Sequence, residues 1–445
     1  MIVPLDHDDP GGSTIEIAVA QVGVSGAEPL TAEPILRLQG GPGGGITDSV
    51  GRWADGDLRE LFGAVLIEYR GEPNSSPALS CPGKWEAFIE NHATVDPFEV
   101  EADRIADAAG QCAARASADG IDLDHFDTAA IADDIELVRQ ALGVDEWNLV
   151  GVSYGTTVAM EVMRRHPDSV RTSILDSAYP PERATIADVW QGLDHLLDRY
   201  DAVCPPRSSC NPTDGAFSER FLELVEQYDV APLATALTNP MTGDTFDAML
   251  DGGDFVNAMW LAVWSANLPE LVADAVTTDN PASRDDLVVA ATQQFLADYG
   301  DSSLLQADVV ECRDRGARVG RETIDAAVDE RPEFSTVFQY ATYVGHGIAC
   351  DRLGAAQQDD TWTDPLGSDI PTLVLAGVWD AVTPPEWGRA LLDGLSNGRF
   401  YEYPGLAHGT WDDTDCSFSI TQQFLSDPTA EIDASCIDAM TDQLS

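Results

Sequence analysis

Short apolar runs alternate with amphipathic segments along this chain, and the alternation predicts buried strands separated by helices. The apolar runs lie at positions 15–20, 34–38, 64–69, 147–150, 173–177, 370–377 and 398–403. Runs that are apolar nearly throughout are typical of strands covered on both faces, as in a mostly parallel sheet. The pattern therefore predicts an α/β fold in which helices flank a central sheet.

One helix is clear from its spacing alone. Ile131, Ile135, Val138 and Leu142 recur at intervals of three and four residues, so they share one face of a helix, and Gly143 follows as a stop. This amphipathic helix directly precedes one of the predicted strands, as expected for an alternating chain.

The alternation ends after residue 180, and the pattern that follows is helical. Apolar and aromatic side chains form three stripes at helical spacing, within 189–200, 217–228 and 255–264. Such stripes more often pack a core than contact a substrate. We predict a mainly helical lid at 181–345, inserted into a core formed by residues 1–180 and 346–445.

The most informative motif is G-V-S-Y-G at positions 151–155, which lies between a predicted strand and a predicted helix. A serine between glycines at such a corner is typical of a nucleophile elbow, and the helix N-terminus favours negative charge there. A serine hydroxyl becomes a good nucleophile only when a histidine takes its proton and a carboxylate orients that histidine. Ser153 is therefore the candidate nucleophile.

Two later loops carry the candidate partners of Ser153. Asp380 lies just past the apolar run at 370–377, and His408 lies in the loop after the run at 398–403. A single loop aspartate or histidine is more often solvated than catalytic. Of the seven histidines, however, only His408 follows a strand after an aspartate-bearing loop, and the order serine, aspartate, histidine is that of α/β-hydrolases. We predict that the three residues form a catalytic triad.

A glycine-rich loop, Q-G-G-P-G-G-G at 39–45, follows another predicted strand. Acyl transfer needs hydrogen-bond donors where negative charge develops on the carbonyl oxygen. We assign this oxyanion hole to the backbone N–H groups of Gly41 and Tyr154, the latter being the residue after the nucleophile. A phosphate-binding loop is disfavoured because no Lys-Ser/Thr pair follows the glycines.

These motifs resemble the proline iminopeptidase family of α/β-hydrolases and its secreted tripeptidyl-aminopeptidase branch. G-G-P-G-G at 40–44 resembles the family's HGGPG segment, with Gln39 replacing the usual histidine, and I-E-Y-R-G at 67–71 departs from Asp-Gln-Arg-Gly at the first two positions. The segments 3–10 and 312–314 are similar to the secreted branch. The resemblance covers essentially the whole chain and implies an α/β-hydrolase fold with exopeptidase or related acyl hydrolase activity.

The chain is strongly acidic, with 77 acidic and 24 basic residues and a formal net charge of −53. Nucleic-acid partners are disfavoured because their phosphates would be repelled. The acidic residues are spread along the chain, which is typical of a solvated surface. Adaptation to high salt is the favoured explanation, and an aspartate-rich proteome is the alternative. No apolar run is long enough to predict a membrane span.

Eight cysteines, an even number, indicate an oxidising compartment, so we expect a secreted or cell-surface protein whose export signal is missing from this sequence. Among the 105 possible pairings, spacing and the family resemblance imply Cys81–Cys112, Cys204–Cys210, Cys312–Cys350 and Cys416–Cys436. The absence of a C-x-x-C pair disfavours a metal site. No cofactor is expected.

Three functions remain open at this point. The favoured one is a serine peptidase that releases residues or short peptides from free N-termini. The others are an esterase or lipase on the same scaffold, with a small acyl substrate, and a non-catalytic binding protein. An aminopeptidase must bind the substrate's ammonium group, and we expect a lid carboxylate to do so. The candidates are Asp188, Asp194, Asp251, Asp254, Glu270 and Glu311.

Overall fold

The computed structural model describes residues 1–23, 33–55, 62–183, 185–261, 268–300, 302–319, 349–354 and 360–440, together with residues 326 and 329. The strands are β1 (Ile2–Pro4), β2 (Thr14–Glu16), β3 (Val19–Val22), β4 (Ile35–Leu38), β5 (Ala64–Ile67), β6 (Trp147–Val152), β7 (Val170–Asp176), β8 (Leu233–Thr238), β9 (Thr245–Leu250), β10 (Thr372–Gly377) and β11 (Gly398–Tyr403).

The helices are α1 (Val50–Asp55), α2 (Pro82–Ala93), α3 (Phe98–Ala118), α4 (Thr128–Leu142), α5 (Tyr154–Arg165), α6 (Thr185–Val203), α7 (Phe217–Val230), α8 (Gly252–Leu261), α9 (Leu268–Thr277), α10 (Pro281–Gly300), α11 (Leu304–Val319), α12 (Pro385–Leu391) and α13 (Asp415–Ser426). No helix within the described ranges is both long and apolar enough to cross a membrane.

A seven-stranded sheet forms the centre of the molecule, in the order β11-β10-β7-β6-β4-β5-β3. All neighbouring strands are parallel except β3, which pairs antiparallel with β5. The interior strands are buried on both faces, since Leu36, Leu149 and Leu175 on one face and Leu66, Val150 and Ile174 on the other are fully inaccessible to solvent. The α/β fold with a mostly parallel sheet, predicted from the apolar runs, is confirmed.

Two expectations about local structure were wrong. The single early strand expected at 15–20 is instead two short strands, of which β2 pairs with β1 outside the main sheet. The segment after residue 180 is not helical throughout, because β8 and β9 form an antiparallel hairpin. Burial in β9 alternates towards its end, which is the strand period of two rather than the helical period.

The six helices α6–α11 and the β8–β9 hairpin are among the elements that lie between β7 and β10. Positions 262–264 of the third predicted stripe and most of 320–348 in the predicted lid lie outside those residues. The bounds of the lid stay a prediction. The last of the six helices, α11, returns to the core, because the Ser303 N–H donates a hydrogen bond of 2.9 Å to the Gly43 carbonyl.

Four disulfides join all eight cysteines in the implied pairing, Cys81–Cys112, Cys204–Cys210, Cys312–Cys350 and Cys416–Cys436. The first links α3 to the start of α2, and the third links α11 to a segment that is distant in sequence. The third bridge therefore constrains α11 directly, and the first constrains α2, whose Lys84 contacts α11.

The single lysine of the chain also holds α11 in place. The Lys84 ammonium on α2 contacts the Asp308 carboxylate at 2.5 Å, and both side chains are fully buried. Burial lowers the pKa of Lys84, and the neighbouring carboxylate only partly opposes this. Removing one member of such a pair leaves its partner buried without the opposite charge.

We expect Lys84→Met to lower the free energy of unfolding by about 3–5 kcal/mol, because Asp308 would lose its ammonium partner inside the protein. The matched control is Arg389→Met, which removes a cation paired with Glu402 where the side chains are 56% and 31% exposed. The control should change stability by only about 0–1 kcal/mol. Urea denaturation of both variants measures the difference, and equal losses would contradict the structural role of the buried pair.

Candidate active site

Ser153 lies at a sharp corner between β6 and α5 and has a positive φ, with torsions φ 56° and ψ −127°. The flanking glycines are needed for packing. A Cβ at Gly155 would collide with the Leu38 carbonyl of β4, and a Cβ at Gly151 would collide with the Gly155 carbonyl. The corner therefore has the strained backbone and close helix–strand contact of a nucleophile elbow.

Asp380 and His408 are brought together as predicted. His408 Nδ1 lies 2.9 Å and 3.1 Å from the two carboxylate oxygens of Asp380, which is fully buried. The carboxylate is itself fixed, because Oδ1 accepts from the N–H groups of Val382 and Thr383 and Oδ2 accepts from the Thr383 hydroxyl, each at 2.9 Å. Nδ1 carries the proton in this contact, so Nε2 is left as the basic nitrogen.

The electrostatics of this pair shift the pKa of each group in the direction that favours the ion pair. Burial acts to raise the pKa of Asp380, but the charge and hydrogen bond of His408 and the Thr383 donors outweigh it and lower the pKa. Burial acts to lower the pKa of His408, but the charge and hydrogen bond of Asp380 outweigh that effect and raise it. Asp380 therefore stabilises the imidazolium form of His408 relative to an isolated imidazole.

The glycine-rich loop passes directly over Ser153. A Cβ added at Gly40 would lie 3.0 Å from the Ser153 Cβ and 3.1 Å from the Val152 carbonyl oxygen. Gly41 has φ 126°, a conformation open to glycine, and Tyr154 is the first residue of α5, so its N–H has no acceptor within the helix. Both proposed oxyanion donors therefore belong to segments adjoining Ser153.

A buried chain of hydrogen bonds holds Tyr154 from behind, and sequence analysis missed it. The Tyr154 hydroxyl lies 2.7 Å from the Thr128 hydroxyl of α4, which in turn contacts the Asp314 carboxylate of α11. Burial, with the nearby charge of Asp127, raises the pKa of Asp314 to about 8. Asp314 belongs to the C-R-D segment at 312–314, which was noticed only as a resemblance.

One face of α11 borders the site. A Cβ at Gly43 would lie 3.3 Å from the Ala307 Cβ, and four residues on, both Glu311 carboxylate oxygens accept from the Tyr179 hydroxyl at 3.3 Å. Four residues further, Arg315 donates to the Thr157 hydroxyl at 3.2 Å in the first turns of α5. Residues spaced by four share a helix face, so this face runs from the glycine-rich loop to the helix that begins after Ser153.

No group of three or more histidine, cysteine, aspartate or glutamate side chains in the described part of the chain is arranged to hold a metal ion. His408 and Asp380 form a hydrogen-bonded pair at the sheet edge that also carries Ser153, and residues of these three types can together support acyl transfer.

Comparison with known proteins agrees with this chemistry. Residues 33–248 match the family described as alpha/beta hydrolase fold, and residues 336–436 match the family described as TAP-like protein. The serine protease Hip1 of Mycobacterium tuberculosis is 25% identical over 446 residues, which cover 92% of this chain and 80% of that protein.

Two further similarities, over shorter stretches, are to proteins that are also named as peptidases. The tripeptidyl aminopeptidase of Streptomyces lividans is 31% identical over 197 residues, covering 41% of this chain and 35% of that enzyme. The proline iminopeptidase of Xylella fastidiosa is 27% identical over 179 residues, covering 39% and 43%.

Proposed function

We propose that this chain, which has the α/β-hydrolase fold and whose relatives are named as serine peptidases, is a serine aminopeptidase that releases residues or short peptides from free N-termini. The observation that carries the proposal is the buried Asp380–His408 pair. It lies at the same edge of the sheet as Ser153, whose backbone has a positive φ of 56°. The named activities of Hip1 and of the tripeptidyl and proline peptidases support the peptide as substrate.

The reaction proceeds through an acyl-enzyme. The Ser153 hydroxyl attacks the substrate carbonyl carbon while His408 Nε2 takes its proton, and Asp380 stabilises the resulting imidazolium. The N–H groups of Gly41 and Tyr154 stabilise the negative charge on the carbonyl oxygen. His408 then gives the proton to the leaving amine. Water, activated by the same histidine, cleaves the ester bond and regenerates Ser153.

Replacement of Ser153 by Ala should abolish turnover while the fold is retained, because the nucleophile alone is removed. Asp380→Asn and His408→Ala should each lower kcat by on the order of 10³–10⁶. Steady-state kinetics on a chromogenic peptide amide, with circular dichroism as the folding control, measure this. Residual activity of Ser153→Ala above about a hundredth of the wild type would contradict the mechanism.

Of the six candidate lid carboxylates, Glu311 has the position that an amine anchor requires. It lies on the face of α11 between Ala307, at the glycine-rich loop, and Arg315, at the first turns of α5. Its side chain is only 12% exposed, so a contact with an ammonium group would be partly desolvated and strong. The Tyr179 hydroxyl and the Arg315 guanidinium, at 3.7 Å, orient the carboxylate.

Three of the other five candidates make contacts that lie away from the glycine-rich loop and from α5, and a fourth is exposed. Asp251 and Asp254 accept each other's backbone N–H groups at the start of α8, and Asp254 lies 3.4 Å from His92 of α2. Glu270 is exposed on α9, and Asp188 accepts a hydrogen bond from Gln191 on its own helix. None of these contacts involves the glycine-rich loop or the first turns of α5.

Glu311→Gln should reduce the preference for a free N-terminus, because the amide keeps the shape of the side chain and loses its charge. In the wild type, acetylating the substrate amine should lower kcat/KM by about 10–100-fold, since a charge-assisted contact is worth about 1.5–3 kcal/mol. In Glu311→Gln that ratio should fall close to one, and in the exposed control Glu270→Gln it should stay at the wild-type value.

The measurement is kcat/KM on matched free and acetylated amides of one to three residues. An unchanged ratio in Glu311→Gln would remove Glu311 as the anchor. Equal wild-type rates on free and acetylated substrates, or a preference for short-chain esters over every peptide amide, would instead contradict the aminopeptidase function and favour an esterase.

The four disulfides support a location outside the reducing cytosol. We propose on this basis that the protein is exported. The net charge of −53, distributed over the whole chain, supports adaptation to high salt, in which counterions screen the repulsion between surface carboxylates.

A further inference from the structure

Asp176, at the end of β7, joins the strand that carries the nucleophile to the loop that carries the base. Its backbone lies between β6 and β10, in register with Val152 on one side and Leu375 on the other. The Asp176 carbonyl accepts a hydrogen bond of 3.0 Å from the Ser153 N–H. The position of Ser153 is therefore tied to the main chain of Asp176.

The Asp176 carboxylate binds the other side of the site. Oδ2 accepts from the N–H groups of Thr410 and Trp411 at 2.6 Å and 2.9 Å, and Oδ1 accepts from the Thr410 hydroxyl at 2.8 Å. The side chain is fully buried, so these hydrogen bonds are shielded from water. All three donors belong to Thr410 and Trp411, which closely follow His408 in the chain.

The neighbouring residue completes the contact. Ser177 Oγ accepts a hydrogen bond of 2.9 Å from the N–H of Gly409, the residue directly after His408, and Ser177 itself has φ 54°. Together the two side chains bind three successive backbone N–H groups, those of residues 409, 410 and 411. An acidic side chain and a hydroxyl thus bind the whole segment that leads away from the proposed base.

We propose that Asp176 and Ser177 are positioning residues that fix His408 relative to Ser153. This inference rests on the proposed function, in which His408 takes the proton of Ser153. Asp380 orients the imidazole ring through Nδ1, whereas Asp176 and Ser177 set the place of the backbone that carries the ring. Small displacements between reacting groups are costly in rate, so kcat should depend on this contact more than substrate binding does.

The charge of Asp176 also acts on His408. Burial raises the pKa of Asp176 to about 6, although the donors at Trp411 and Thr410 and the charge of His408 oppose the rise. The other ionisable groups that face it are Arg37 on β4 and Tyr403 on β11. Asp176 in turn helps to raise the pKa of His408, so removing its charge should lower that pKa.

The test compares Asp176→Asn, Ser177→Ala and Thr410→Val on a peptide amide, with kcat, KM and the pH profile of kcat/KM measured for each. Asp176→Asn should lower kcat by about 10–100-fold with KM within about twofold of the wild type. The acid limb of its kcat/KM pH profile should move to lower pH by about half a unit or more, because His408 loses a nearby negative charge.

The other two variants separate the geometric effect from the electrostatic one. Ser177→Ala should lower kcat by about tenfold and leave the acid limb in place, since no charge is removed. Thr410→Val deletes one hydrogen bond and keeps the Asp176 carboxylate, so its acid limb should also stay at the wild-type pH. If Asp176→Asn does not fold, Ser177→Ala decides: reduced kcat at unchanged KM supports the proposal, and wild-type kcat overturns it.

A fall in kcat without a shift of the acid limb in a folded Asp176→Asn would indicate a merely structural residue and would overturn the proposal. Wild-type kinetics in both Asp176→Asn and Ser177→Ala would also overturn it. Failure of the proposed function looks different. In that case the wild-type protein itself would not cleave peptide amides, whatever the variants do.

Discussion

The structure depends most on the close contact between the first turn of α5 and the strand beside it. At Gly155 the helix backbone lies against the Leu38 carbonyl, with no space for a side chain. This contact sets the corner at Ser153, and it brings the end of β4, with the glycine-rich loop that follows, over the serine. The strain of a non-glycine residue at φ 56° is offset by buried strands on both sides of β6. Any substitution that separates the two backbones would move the proposed nucleophile and the proposed oxyanion donors together.

The parallel order of the strands explains how residues far apart in the chain reach one place. β4, β6, β7, β10 and β11 are consecutive neighbours in the sheet, and their carboxyl ends all meet at the same edge. The glycine-rich loop, Ser153, Asp176, Asp380 and His408 each follow or end one of these strands. Two helices of the segment between β7 and β10 also come to this edge. His195 of α6 lies 2.8 Å from the Val378 carbonyl in the loop after β10, and α11 adds Glu311 and the support behind Tyr154.

Much of the fold and of the candidate site could be predicted, because the sequence patterns that indicate them are local. Strand-to-loop transitions identified Ser153, Asp380 and His408, and a family resemblance implied the disulfides. The rest depends on tertiary contacts that leave little trace in a single sequence. Asp176 is one of 77 acidic residues, and only its three hydrogen-bond donors distinguish it from a solvated carboxylate. Likewise, the hairpin β8–β9 was missed because its short alternation lies among strong helical stripes, and Glu311 could not be separated from five other lid carboxylates without the course of α11.

The central claim is that Ser153 is the one serine activated as a nucleophile. A fluorophosphonate reacts with such a serine by forming a phosphorus–oxygen bond and losing fluoride, and the adduct stays on the residue that attacked. Peptide mapping by mass spectrometry of the labelled, natively folded protein tests the claim most directly. The account predicts a single adduct, on the peptide that contains Ser153, with loss of activity in proportion to labelling. An adduct on another residue, or full activity after complete labelling of Ser153, would contradict it.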